Sequence, residues 1–282
     1  MIKIYQLIFL TQLISGCMTV PNVDKRLGTA EQLASQHTWH KHVIETSSFD
    51  LMSFVPNNPI KGSVLTIYIE GDGFAWLSSR KPSRNPTPIN PTGLKLSLNH
   101  SNTNVAYLAR PCQYVVDSHC ERKYWTSHRF AEEVIMASNQ AINKLKQQLS
   151  ATRLILVGYS GGGAVAALLA AQRDDIVQLI TVAGNLNHKA WTNFHHISPL
   201  TGSLNPADFR KQLAKVEQIH FIGENDRVAP PFLAYNFVAG LPASNHAKVI
   251  VVPDQTHGCC WEFTWASLLE NIEQFQFQNA AK

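Results

Sequence analysis

The sequence has no block of basic residues. Its formal net charge is only +4. The cations are scattered, as at Arg80, Lys81 and Arg84, which reads as solvated surface and argues against a nucleic-acid partner. It also lacks an apolar run of the roughly 20 residues that a membrane-spanning helix needs. The run from Ile4 to Ile14 is too short and is interrupted by Tyr5, Gln6, Thr11 and Gln12. None of its cysteines (Cys17, Cys112, Cys120, Cys259, Cys260) stands in the C-x2-4-C spacing of a tetrahedral zinc site. The adjacent His195 and His196 point in different directions on most backbones, which disfavours a paired metal site. No metal and no organic cofactor is expected. There is no internal repeat. What is present, 45% hydrophobic and 16% charged residues over 282 positions, suits a globular protein rather than a disordered one.

The short apolar run behind Lys3 suits the core of a signal peptide. It ends in Leu13-Ile14-Ser15-Gly16-Cys17, which resembles the bacterial lipobox. That resemblance implies cleavage before Cys17 and acylation of its thiol and new amino terminus. Each buried methylene then contributes about 0.8 kcal/mol, so two or three chains anchor a protein stably. Position 18 is Met rather than Asp, so the usual inner-membrane retention signal is absent and an outer-membrane lipoprotein, on the periplasmic or surface face, is expected. The organisation follows: residues 1–16 a signal peptide, 17–42 a lipidated cysteine and polar tether, 43–282 one domain. Export implies an oxidising compartment. Cys112 and Cys120 close a small loop and are expected to pair, although four cysteines allow three pairings. Cys259 and Cys260 either form a vicinal disulfide or stay reduced.

Along the chain, Val43 to Val55 reads as an opening hairpin, and Val64 to Ile69 as a buried strand of β-branched and apolar residues. A proline-rich stretch with Pro82, Pro86, Pro88 and Pro91 reads as loop. Further strands are expected at Val105 to Ala109, Arg153 to Val157, Ile176 to Val182, Ile219 to Ile222 and Lys248 to Val252. Helices are expected at Arg129 to Leu149, Gly162 to Ala171 and Glu262 to Phe277. Short apolar strands alternating with helices imply an α/β fold, a mainly parallel sheet covered on both faces.

Gly158-Tyr159-Ser160-Gly161-Gly162 matches G-x-S-x-G, a pattern that arises by accident about once in ten chains of this length. Here a strand enters it and a helix leaves it, the context the motif requires. A serine hydroxyl needs a histidine to take its proton, and the histidine needs an acid to fix its tautomer. Asp226 follows one predicted strand, in Gly223-Glu224-Asn225-Asp226, and His257 follows the next; Glu224 is the alternative acid. The order Ser, acid, His resembles the α/β-hydrolase superfamily, over roughly residues 43 to 278. The resemblance implies Ser160 as nucleophile, Asp226 and His257 as its partners, and an oxyanion hole formed by the amide of Gly161 with that of Asp72 or Gly73. The chain departs from the common pattern by placing Glu70 where a histidine is usual. Phe74, Trp76 and Trp191, with Phe194, His195 and His196, are candidates to line a substrate cleft. Residues 185–209 stand where the family often inserts a lid. Tyr159 is expected to pack beneath the turn.

The expected reaction is hydrolysis of a small-molecule or lipid-like ester through an acyl-serine intermediate. A peptidase or acyltransferase on the same three residues is the enzymatic alternative, and a non-catalytic ligand-binding lipoprotein is the alternative of another class. The membrane is expected as a partner through the lipid anchor. Acyl chain length and oligomeric state are not legible.

Overall fold

The computed structural model describes residues 20–60, 62–100, 104–242 and 246–280, with 273–280 as backbone alone. The expected signal peptide and Cys17 lie outside the described residues. Ten strands and eight α-helices are present among them. They run α1 Val23–Gln36, β1 Trp39–Glu45, β2 Asp50–Pro56, β3 Val64–Ile69, β4 Trp76–Ser78, β5 Lys81–Pro82, α2 Thr92–Leu98, β6 Val105–Leu108, α3 Glu132–Gln148, β7 Arg153–Tyr159, α4 Gly161–Ala170, β8 Ile176–Val182, α5 His188–Phe194, α6 Arg210–Leu213, β9 Glu217–Gly223, α7 Pro231–Ala239, β10 Ala247–Val252 and α8 Trp261–Ala280.

Eight strands form one sheet in the order β1-β2-β6-β3-β7-β8-β9-β10. The first two pairings are antiparallel and the remainder parallel. Strand residues alternate between two faces, and both faces are covered. On one, Leu65, Ile67, Leu154 and Leu156 pack with α3 and α4 through Val134, Ala141, Leu145 and Leu168. On the other, Tyr68, Val157 and Ile180 pack with α2 and α8 through Leu94, Trp261 and Trp265. Two-sided burial is why β3 and β7 read as nearly unbroken apolar runs. Helix α3 buries Val134, Ile135, Ser138, Ala141, Ile142 and Leu145 at helical spacing. Every residue of α4 is buried, and its three glycines and four alanines let it lie close to the sheet.

Two expectations change. Residues 23–36, taken as part of a tether, form α1. Asn22 caps it by accepting from the Lys25 amide, and Ala30 and Ala34 enter the core beneath β1 and β2. Its buried face is made of alanine and an arginine stem, so no large apolar period marks it. The proline-rich stretch is loop only between Pro82, which ends the short strand β5, and Pro91, where α2 begins. Proline is tolerated at a helix start because the first amides have no intrahelical acceptor. Cys112 and Cys120 are paired, with Cα atoms 5.5 Å apart. Cys259 and Cys260 are also paired, across a cis peptide.

Two histidines give the fold a pH dependence. His220 is fully buried in β9, with Nδ1 against Thr181 Oγ1 at 2.9 Å and Nε2 without a partner among the described residues. Burial lowers its pKa to about 3, and burial lowers that of His100, bonded to the Tyr68 hydroxyl, to about 4. Both values lie below that of free imidazole. Between about pH 6.5 and 4 the unfolded chain therefore binds protons that the fold excludes, and each group costs about 1.4 kcal/mol per pH unit. Stability is expected to fall as pH drops through that window. Thermal melts at pH 7 and pH 5 check this, and His220→Asn should flatten the slope; an unchanged slope in that variant refutes the assignment.

Candidate active site

Strand β7 delivers the chain to Ser160, which has φ 51° and ψ −118°. A non-glycine residue in this region stores of order 1–3 kcal/mol and persists only where its surroundings hold it. The Ser160 amide donates to Val182 O at 2.9 Å, and its carbonyl accepts from the amides of Gly163 and Asn185, each at 3.0 Å. The turn demands close backbone approach. A Cβ on Gly158 would sit 2.3 Å from Gly162 O, and one on Gly162 would sit 2.3 Å from Ile69 O. The hydroxyl is thereby lifted to the carboxyl ends of the parallel strands, where sites in open α/β sheets gather.

Two neighbouring strand ends supply its partners. Ser160 Oγ lies 2.9 Å from His257 Nε2, and His257 Nδ1 lies 2.9 Å from Asp226 Oδ2. The buried Asp226 carboxylate takes the amides of Val228 and Ala229 on its other oxygen, both at 2.8 Å. A carboxylate only accepts, so Nδ1 carries the imidazole proton and Nε2 is left as acceptor for the serine hydroxyl. Glu224, the alternative acid, is exposed, and its Oε2 accepts the Asp254 amide. The carbonyl of His257 accepts from the Tyr159 hydroxyl at 2.9 Å and from Trp261 Nε1 at 3.1 Å, which pins the histidine loop to both β7 and α8.

The loop after β3 approaches from the opposite side. Gly73 has φ 64°, and a Cβ there would lie 2.0 Å from Pro86 O. Glu70 does not take up a histidine's place in the cleft. Its buried carboxylate accepts the amides of Gly71, Gly93 and Leu94 and the Tyr107 hydroxyl, riveting the end of β3 to the first turn of α2. Burial raises its pKa. Asp72 sits against Gly161, whose Cβ would meet Asp72 Oδ1 at 2.1 Å. Two arginines clamp it: Arg129 Nη1 at 2.5 Å and Arg110 Nη1 at 3.4 Å. Burial alone pushes the Asp72 pKa up, but the guanidiniums of Arg129 and Arg110 outweigh it and hold the carboxyl below its ordinary value. Burial lowers the pKa of Arg110 to about 10. Gln113 completes the support by donating to Gly71 O at 2.9 Å while its own oxygen accepts the Arg110 amide. The Cys112–Cys120 bond closes the segment that carries it.

Ser160, Gly161 and His257 open on a cleft of about 420 Å³, walled by Trp76, Trp191, Ile197, Leu200 and Val228. A second depression of about 280 Å³ meets it at Ser160 and is lined by Phe74, Ile89, Asn90, Thr92 and Tyr159. Residues 185–209 thus form one wall, held by Trp191 Nε1 donating to Val228 O at 2.7 Å. His195 and His196 do not reach either cavity. His195, half-buried, contacts Val228 O with Nε2, and His196 is exposed. Phe194 likewise turns outward onto Phe232. Arg110, Gln113 and Arg129 escaped the sequence reading. The one local signal was the place of Arg110 directly after β6, at the carboxyl edge of the sheet.

No family model matches the chain, and no curated protein matches it. Solved structures do. Est1E from Butyrivibrio proteoclasticus superposes with a TM-score of 0.57 at 17% identity, covering 86% of this chain and 99% of that one. An alpha-beta serine hydrolase homologue from Coxiella burnetii gives 0.56 at 15%, covering 82% and 94%. An esterase from Pyrococcus furiosus gives 0.60 at 12%, covering 86% and 92%. At such identities it is the architecture that is shared, and the chain has the α/β-hydrolase fold.

Proposed function

We propose that the protein is a serine hydrolase that cleaves carboxylic esters through an acyl-Ser160 intermediate. The observation that carries this reading is the continuous hydrogen-bonded path from Ser160 Oγ through both nitrogens of His257 to the buried Asp226. His257 Nε2 takes the hydroxyl proton as Ser160 Oγ attacks the ester carbonyl. It then gives that proton to the departing alkoxide. Water, deprotonated by the same nitrogen, releases the acid and restores the serine. Asp226 stays ionised and stabilises the transient imidazolium.

The developing oxyanion is received by the Gly161 amide, which stands first in α4 and so has no intrahelical acceptor. The amide of Asp72 or Gly73 faces it as second donor. A carboxylate so close to an oxyanion is tolerable only if neutralised, and the two arginines supply that. At roughly 6 Å and an effective dielectric of about 20, an uncompensated pair of negative charges costs about 3 kcal/mol. Arg129→Gln is therefore expected to lower kcat by about 10²-fold with little change in KM; steady-state kinetics check it, and a change confined to KM refutes the role.

The walls of the main cleft are largely aromatic and aliphatic, suited to a compact apolar acyl group. Ester rather than amide is favoured by the Pyrococcus furiosus esterase among the structural likenesses, and a second likeness, Est1E, has been solved with ferulic acid bound. The protein is further read as a lipoprotein anchored through Cys17 to the bacterial outer membrane, on the strength of residues 13–17. The direct test is labelling with a fluorophosphonate. Wild-type protein should be modified on Ser160, and a folded protein that stays unlabelled ends the reading in favour of a binding module.

A further inference from the structure

A second feature lies away from Ser160. The start of α1 and the β4–β5 hairpin enclose a groove of about 750 Å³ whose lining includes Arg26, Lys81, Arg84 and Arg122 and no carboxylate. None of these four cations joins an ion pair among the described residues. Glu121, next to Arg122 in the chain, is engaged by Lys123. Arg26 is buried and spends its guanidinium on the carbonyls of Asn22, Asn85 and Thr87 beneath the Phe74 ring. Positive charge is thus concentrated in one concavity without internal compensation, and such a concavity attracts anions.

The same groove presents apolar side chains to solvent. Val20 is 48% exposed and Leu77 46%, and both line it. Cations interleaved with exposed aliphatic groups fit the boundary between headgroups and acyl chains. Its place in the chain agrees. Cys17 precedes Val20 by three residues, which span at most about 10 Å, so an acylated Cys17 would bring this groove to the headgroup layer. The hairpin links it to the cleft: Leu77 lines the groove, and its neighbour Trp76 lines the cavity at Ser160.

We infer that the groove docks the phosphate-bearing headgroups of an anionic lipid bilayer and holds the mouth of the cleft at the membrane surface. The inference leans on the anchored-lipoprotein reading for its orientation, and the experiment separates the two. Full-length protein is partitioned onto vesicles of pure phosphatidylcholine and onto vesicles containing one part in three phosphatidylglycerol. Binding to the first reports the N-terminal apolar segment and anchor, which Cys17→Ser weakens on both vesicles alike. The ratio between the two reports the groove. Each cation near an anionic surface contributes roughly fivefold, so Lys81→Gln/Arg84→Gln/Arg122→Gln should remove a preference of about 10²-fold and leave the ratio near unity. Its hydrolysis of a soluble ester should match wild type, showing that it folds. Lys81→Gln/Arg84→Gln, a milder pair, should remove about two thirds of the preference on a logarithmic scale. An unchanged ratio in both variants overturns the inference. So does a ratio brought to unity by millimolar inorganic phosphate at constant ionic strength, which would make the groove a site for a free anion.

Discussion

Ser160→Ala is expected to lower kcat for a p-nitrophenyl ester by about 10⁵–10⁶-fold, leaving KM within a few-fold of wild type. The size follows from the geometry. The hydroxyl is held 2.9 Å from its base, and no second serine or cysteine lines the shared edge of the two cavities. What remains after the substitution is the residual rate from the oxyanion donors and from binding, about 10³–10⁴ over water. The variant should melt at or slightly above the wild-type temperature, because an exchange of hydroxyl for hydrogen removes no packing contact. Full turnover in the variant would remove Ser160 from the chemistry.

Asp226→Asn should cost about 10⁴-fold in kcat. The asparagine oxygen can still accept the Val228 and Ala229 amides that now bind the carboxylate, so the loop is expected to keep its shape. Its amide nitrogen then faces His257 Nδ1 as a donor. The imidazole must answer with an acceptor there and place its proton on Nε2, where it opposes the serine hydroxyl. The loss should therefore come without a matching loss of stability. It should ease as pH is raised, when serine ionises more readily without a base. Steady-state kinetics between pH 6 and 10, beside thermal melts, separate this from simple unfolding; a loss of activity that tracks a fall in melting temperature would contradict it.

The parts of the molecule that were legible in the sequence are those determined locally. Strands β3 and β7 declare themselves because burial on both faces demands apolar residues at nearly every position. The turn at Ser160 is legible because close backbone approach admits only glycine at 158 and 162. The clamp on Asp72 is different in kind. Arg110 and Arg129 lie 38 and 57 residues away in the chain, and apart from the place of Arg110 after β6 nothing in either neighbourhood distinguishes them from surface arginines. Glu70 shows the converse. Its departure from the expected histidine was visible, but its purpose, gathering the first amides of α2, needed the helix that the prolines concealed. Helix α1 hid because its buried face is alanine. His196 turns outward where the chain leaves α5, which ends at Phe194, and takes a positive φ.

The two cavities share only Asp72, Gly73, Ser160 and His257; every other lining residue belongs to one alone. On the proposed ester hydrolysis, a scissile bond laid across Ser160 would present its acid half and its alcohol half to separately encoded surfaces. A change at Trp191 or Leu200 alters the reception of one half, and a change at Asn90 or Ile89 that of the other. Selectivity for the two ends of a substrate is in this way heritable in two independent parcels, each able to drift while the reaction at their junction is preserved.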